Sequence, residues 1–221
     1  MNKLVLVVAA HPDDEVLGCG GTIARHVDEG DSVFTVFMAD GVSSRLVTTG
    51  IENRLSAEKA AKDILGISQS FNLGFPDNSM DTIPFLDIVK RLESVAAQVD
   101  PQIIYTHHIG DLNIDHRITQ QAVLTAFRPL PGARVKEILA FEVMSSSEWN
   151  AAEQSPFHPN YYVDITGYIE RKLDALLAYE LEMRDPPHSR SIEHLEALSK
   201  HRGHSIGVPA AEAFILLRQL R

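Results

Sequence analysis

The chain has 221 residues, 44% of them hydrophobic, enough to bury one sizeable core. Lys and Arg number 20 against 30 Asp and Glu, a formal net charge of -10. That balance argues against nucleic acid or an anionic membrane surface as the main partner. The single cysteine, Cys19, excludes an intrachain disulfide and a multi-cysteine metal site.

Taken in chain order, Leu4 to Ala9 (Leu-Val-Leu-Val-Val-Ala) reads as a strand buried on both faces. Ala10-His11-Pro12-Asp13-Asp14-Glu15 follows it directly. Thr22 to Glu29 predicts a helix stopped by Gly30. Ser32 to Met38 is a second strand, closing on Ala39-Asp40-Gly41, and Val42 to Gly50 is a polar loop. Glu52 to Leu65 is helical and ends at Gly66. Ser70 to Leu73 is a short strand, Ile83 to Val99 an amphipathic helix, and Gln102 to Thr106 a fourth strand. Ile114 to Arg128 is helical, and Pro129 to Gly132 breaks it. Lys136 to Val143 and Tyr161 to Ile165 are strands, and Tyr168 to Met183 and Ile192 to Arg202 are helices. The segment Pro187-His188-Ser189-Arg190 between those helices reads as a loop, with reach into a site or a neighbouring subunit as the alternative. This alternation predicts an α/β fold, a mostly parallel sheet with helices on both faces. No repeat or linker divides the chain, so residues 1–221 are expected to form one domain. No signal-peptide pattern is present and no apolar run reaches the ~18–20 residues of a membrane span, so a cytoplasmic protein without membrane insertion is expected.

The chemistry concentrates after two strands. His11 and Asp14 lie three residues apart, with Pro12 stiffening the turn. Neutral imidazole plus carboxylate suits a divalent transition metal, zinc first, with one such as Fe2+ as the alternative. A third ligand should come from another strand end, and the best candidate is His116 in His107-His108-Ile109-Gly110-Asp111-Leu112-Asn113-Ile114-Asp115-His116. Asp115 is placed to orient an imidazole from behind the ligand shell. Asp13, beside the metal rather than on it, is where a general base for an attacking water belongs. Each residue alone has a plainer role: Asp13, Asp14 and Asp115 as helix caps, His107 and His108 as loop residues. The joint pattern favours the metal. Gly18-Cys19-Gly20-Gly21 does not match G-x-G-x-x-G and reads as close helix–strand packing or room for the metal loop, with Cys19 a small buried apolar residue.

These motifs resemble the LmbE-like (PIG-L) family of zinc-dependent de-N-acetylases. The resemblance rests on Ala10 to Glu15 and Asp115-His116-Arg117. Asp40-Gly41, Arg54, Asp164-Ile165-Thr166, Arg202-Gly203, Gly207 and Ala211-Glu212-Ala213-Phe214 support it. It implies a Rossmann-like fold and hydrolysis of an N-acetyl group from a glucosamine-type sugar, free, nucleotide-linked or lipid-linked. It implies His11, Asp14 and His116 as zinc ligands, Asp13 as base and Arg54 as a substrate contact, with a solvated helix face as the plainer reading of Arg54. It also implies a trimer or hexamer. Many members carry a histidine where this chain has Asn113, which can donate a hydrogen bond to an oxyanion but cannot carry a proton at neutral pH. Proton return to the leaving amine then falls to Asp13 or to another histidine, with His107, His108, His201 and His204 unranked. The alternatives are a zinc amidase acting on another acyl amide, such as a thiol conjugate or an antibiotic precursor, and a receiver-like signalling domain. The latter lacks its phospho-acceptor aspartate at Phe71-Asn72-Leu73-Gly74.

Overall fold

A computed structural model describes residues 2–41, 51–151 and 155–221, so the polar loop Val42 to Gly50 lies outside the described residues. Seven strands form one mixed sheet in the order β3-β2-β1-β4-β5-β7-β6. They are β1 (Leu4–Ala9), β2 (Ser32–Ala39), β3 (Gln69–Phe75), β4 (Ile103–His107), β5 (Glu137–Phe141), β6 (Tyr161–Asp164) and β7 (Ala211–Gln219). The first five are mutually parallel. β7 runs antiparallel to both β5 and β6. The helices are α1 (Asp14–Asp28), α2 (Ile51–Leu65), α3 (Phe85–Val99), α4 (Ile114–Ala126), α5 (Ile169–Ala178) and α6 (Ile192–His204).

The apolar run of β1 is buried on both faces because its side chains alternate. Val5 and Val7 enter a core with residues of α1, α2, α5 and α6, including Ile23, Leu65, Leu176 and Leu195. Leu6 and Val8 enter the opposite core with residues of α3 and α4, including Leu92 and Val123. Strand order reverses between β1 and β4, and this is where open α/β sheets place ligands, beyond the carboxyl ends of the strands.

Two expectations change. β7 is not predicted, although Ala213-Phe214-Ile215-Leu216-Leu217 is a clear apolar run; it fills the antiparallel position between β5 and β6. Helix α1 starts at Asp14, eight residues before the expected Thr22. Its glycine run bends it: Cys19 has φ -149°, outside helical values. The kink frees backbone groups, and buried charges satisfy them. Glu212 on β7 accepts the N–H groups of Gly21 and Thr22 at 3.0 and 2.7 Å. Lys172 on α5 donates to Leu17 O at 2.9 Å and to Glu212 at 2.6 Å. Thr22 is therefore the start of the second helical stretch, capped by a carboxylate distant in sequence. The glycines pack as expected: a Cβ on Gly18 would lie 2.3 Å from the Phe141 ring, and one on Gly21 2.8 Å from Ile165. The other differences are at element ends; α5, for example, stops at Ala178 rather than Met183.

Candidate active site

The loops after β1 and β4 converge on the Asp14 carboxylate, which is completely buried. Its Oδ2 accepts the His11 N–H at 2.9 Å and lies 3.2 Å from His11 Nδ1, 3.3 Å from His116 Nε2 and 3.4 Å from His107 Nε2. The rings of His11 and His116, more than a hundred residues apart in sequence, have centroids 5.5 Å apart. Ligand atoms of His11, Asp14 and His116 all lie within 4.8 Å of one another. Burial alone would raise the Asp14 carboxyl, but His116, His107 and His11 hold it well below the usual carboxylate range.

Asp14 Oδ1 and His116 Nε2 are buried without a hydrogen-bond partner among the described residues. An orphaned buried acceptor costs about 1–3 kcal/mol, more when charged, so the pair calls for a partner. A cation bound by two imidazoles and a carboxylate removes both deficits, and this donor set suits zinc and related divalent metals. The residues fit the group that the sequence implies.

Carboxylates behind the imidazoles fix them. Asp111 accepts from His116 Nδ1 at 2.9 Å and, on its other oxygen, from Ser147 Oγ at 2.5 Å. Burial works against these charges, yet the histidines beside Asp111 bring its pKa down to about 2. The carboxylates Asp14 and Asp111 outweigh burial at His116 and lift it to about 9. Asp115 faces the other imidazole: its Oδ2 is 3.1 Å from His11 Nε2, as is Asp77 Oδ1. Asp115 also accepts the Asn78 and Met80 N–H groups at 2.7 and 3.1 Å, tying the loop after β3 to the site.

Asp13 occupies the turn between β1 and α1 with φ 122°, a left-handed conformation that costs a non-glycine residue about 1–3 kcal/mol. Its N–H donates to Glu15 Oε2 at 2.9 Å, and Tyr179 Oη holds Glu15 Oε1 at 2.9 Å. Burial pushes Glu15 up to about 8. Burial also raises Asp13, against the opposing charges of Arg190 and Arg54. Its carboxylate opens onto a cleft of about 180 Å3 lined by His11, Arg54, Asp77, Asn113 and Arg190 among others.

Arg54 is not on a solvated helix face. Its side chain is buried, with Nη2 donating to Pro12 O at 2.6 Å and Nη1 to Glu182 at 2.7 Å. Gly41 makes room for it: a Cβ there would lie 2.6 Å from Arg54 Nε. Asn113 caps α4 by accepting the Asp115 N–H at 2.8 Å, and its Nδ2 donates to Asn78 Oδ1 at 2.9 Å. Among the described residues, one amide hydrogen of Asn113 is left for another acceptor.

Sequence reasoning misses Asp111 and Asp77, leaves His107 unranked, and takes the Arg190 segment first as a loop although it does reach the site. His107 is not a loop residue but ends β4; its ring stacks on His116 at 3.9 Å and its Nε2 accepts the Ala10 N–H at 2.8 Å. Burial and the neighbouring His116 lower it to about 4, so it is neutral and a poor proton carrier. His108 is tied to Ser155 O at 2.7 Å, and His201 and His204 lie on the exposed last turn of α6. The Asp111 signal was present, a carboxylate five residues before His116, but adjacency favoured Asp115.

Residues 6–127 match the model of the PIG-L family, GlcNAc-PI de-N-acetylase. The chain belongs to this family. The diacetylchitobiose deacetylase of Thermococcus kodakarensis is 27% identical over 227 residues, covering 95% of this chain and 81% of the relative. The 4-oxalmesaconate hydratase of Pseudomonas putida is 29% identical over 192 residues, covering 79% and 72%. Among solved structures, the conserved protein TT1542 from Thermus thermophilus superposes with a TM-score of 0.82 at 27% identity, covering 99% of this chain and 96% of that one.

Proposed function

We propose that this chain is a metal-dependent hydrolase that removes the N-acetyl group from an N-acetylglucosamine-type sugar, giving acetate and a free amine. The observation that carries the reading is the meeting of His11, Asp14 and His116 donor atoms, next to a cleft that His11 and Asp13 line. Membership of a de-N-acetylase family and likeness to a diacetylchitobiose deacetylase support the substrate class. We infer zinc as the metal, and a single-domain cytoplasmic enzyme that self-associates as a trimer or hexamer. No helix among the described residues is long and apolar enough to cross a membrane.

His11, Asp14 and His116 would hold the metal, with Asp115 and Asp77 behind the first imidazole and Asp111 behind the last. A divalent ion there supplies Lewis acidity, polarising the acetyl carbonyl and easing deprotonation of water. Asp13 takes the proton of the attacking water on its carboxylate, and its raised affinity for protons suits that task. The same carboxyl then protonates the departing amine nitrogen. Asn113 cannot carry that proton, and His107 is buried behind His116. Asn113 offers its remaining amide hydrogen to the substrate oxygen, and Arg54 builds the cleft wall.

The test is acetate release from a panel of N-acetyl sugars, set beside a panel of other acyl amides and an unsaturated dicarboxylic acid. Acetate from an amino sugar supports the reading. Release of longer acyl groups alone would make the chain an amidase. Hydration of the unsaturated acid without any acetate would place it with the hydratase relative and reject the deacetylase reading.

A further inference from the structure

Arg190 lies just before Ser191, the N-cap of α6, yet its side chain crosses to the far loops of the site. Its Nε donates to Ser145 Oγ at 2.7 Å and its Nη1 to Asp13 Oδ2 at 3.0 Å. Both ends of that ion pair are mostly shielded, with side-chain exposures of 20% and 3%. The pair ends a row of alternating charges: Glu182 to Arg54 at 2.7 Å, Arg54 to Asp13 Oδ1 at 3.9 Å, then Asp13 to Arg190. Arg54 has committed both Nη groups elsewhere, so the direct hydrogen bond to the Asp13 side chain comes from Arg190. Oδ1 of Asp13 accepts no hydrogen bond among the described residues.

We propose that Arg190 is a positioning residue for the hydrolysis. Its planar fork, braced by Ser145, pins Oδ2 and leaves Oδ1 as the oxygen that meets the attacking water. A carboxylate on a strained turn has one backbone setting, and the guanidinium selects its side-chain setting. In this chain a single carboxylate takes the water's proton and also returns it, because residue 113 is an asparagine. Its orientation must therefore serve both steps. The proposal rests on the hydrolase reading above and deepens it.

The test is a double-mutant cycle between Arg190→Ala and Asp13→Asn, with Arg190→Lys as the conservative variant. Steady-state kinetics are measured on the amide that the wild type turns over, with metal content and melting temperature measured alongside. A misplaced reacting group costs on the order of 100-fold. Arg190→Ala should therefore lower kcat by about 10- to 100-fold with KM within about twofold and metal content unchanged. Arg190→Lys should recover part of the loss. In the Asp13→Asn background, adding Arg190→Ala should cost less than about twofold. A raised KM with kcat intact would overturn the proposal, because Arg190 would then bind substrate. A full multiplicative loss in the double variant, or loss of metal in Arg190→Lys, would overturn it as well. Should the wild type cleave another acyl amide or hydrate an unsaturated acid, the same cycle on that reaction judges Arg190 separately from the substrate assignment.

Discussion

His116 donates from Nδ1 to Asp111 Oδ2 at 2.9 Å, and this one bond decides which imidazole nitrogen faces Asp14. Once the ring gives up its second proton, Nδ1 keeps the one shared with Asp111 and Nε2 offers the lone pair; Nε2 has no hydrogen-bond partner among the described residues. Replacing Asp111 by Asn keeps the size but offers the ring an amide in place of a carboxylate. Metal affinity should fall about 10- to 100-fold, measured by chelator competition. Unchanged affinity would mean that Asp111 does not set the tautomer.

The same relationship predicts a pH dependence. In the metal-free protein the carboxylates lift His116 to about 9, so the ring holds a proton at neutral pH. A metal must displace that proton. Burial lowers His11, but Asp115, Asp14 and Asp77 overcome it and raise that ring well above its ordinary value too. Affinity should therefore tighten as pH rises from 6 to 8 by up to about tenfold per unit for each imidazole, with up to two protons released per ion. Calorimetry in buffers of different ionisation enthalpy counts the protons. Affinity that is flat over this range would contradict the assignment of His116.

Asp13→Asn removes the acid–base group without touching the three donor atoms. Metal content should stay within error of the wild type, while turnover falls about 100- to 10,000-fold. Near-normal turnover would remove Asp13 from the mechanism.

The kink of α1 makes a stability prediction away from the chemistry. Lys172 and Glu212 are buried and hydrogen-bonded to each other and to the backbone groups that the kink frees. Lys172→Met leaves Glu212 without its counter-ion, held by the two backbone N–H groups alone, and should cost about 3–5 kcal/mol, read from denaturant midpoints. A loss below about 1 kcal/mol would mean that the pair is not what supports the bend.

The site's frame was legible in the sequence because its signals are local. A buried-strand pattern followed at once by His11-Pro12-Asp13-Asp14 gives both the place and the ligand types. His116 was reached by the same logic at a second strand end. What escaped depends on side chains crossing between elements. Asp115 is next to His116 in sequence but points back to His11, while Asp111 reaches His116 across the loop. Arg190 arrives from a segment whose composition marks a loop able to reach a site, without saying which group it meets. Thr22 was recognisable as a helix start, but its cap, Glu212, lies on a strand far along the chain, so α1 looked shorter than it is.

The central claim is tested most directly by removing and restoring the metal. The purified protein should hold one divalent ion per chain by elemental analysis and release acetate from an N-acetyl sugar. Stripping the ion should abolish release, adding it back should restore it, and His116→Ala should neither retain the ion nor recover. Acetate release at the wild-type rate by the stripped protein, or by His116→Ala, would contradict the account.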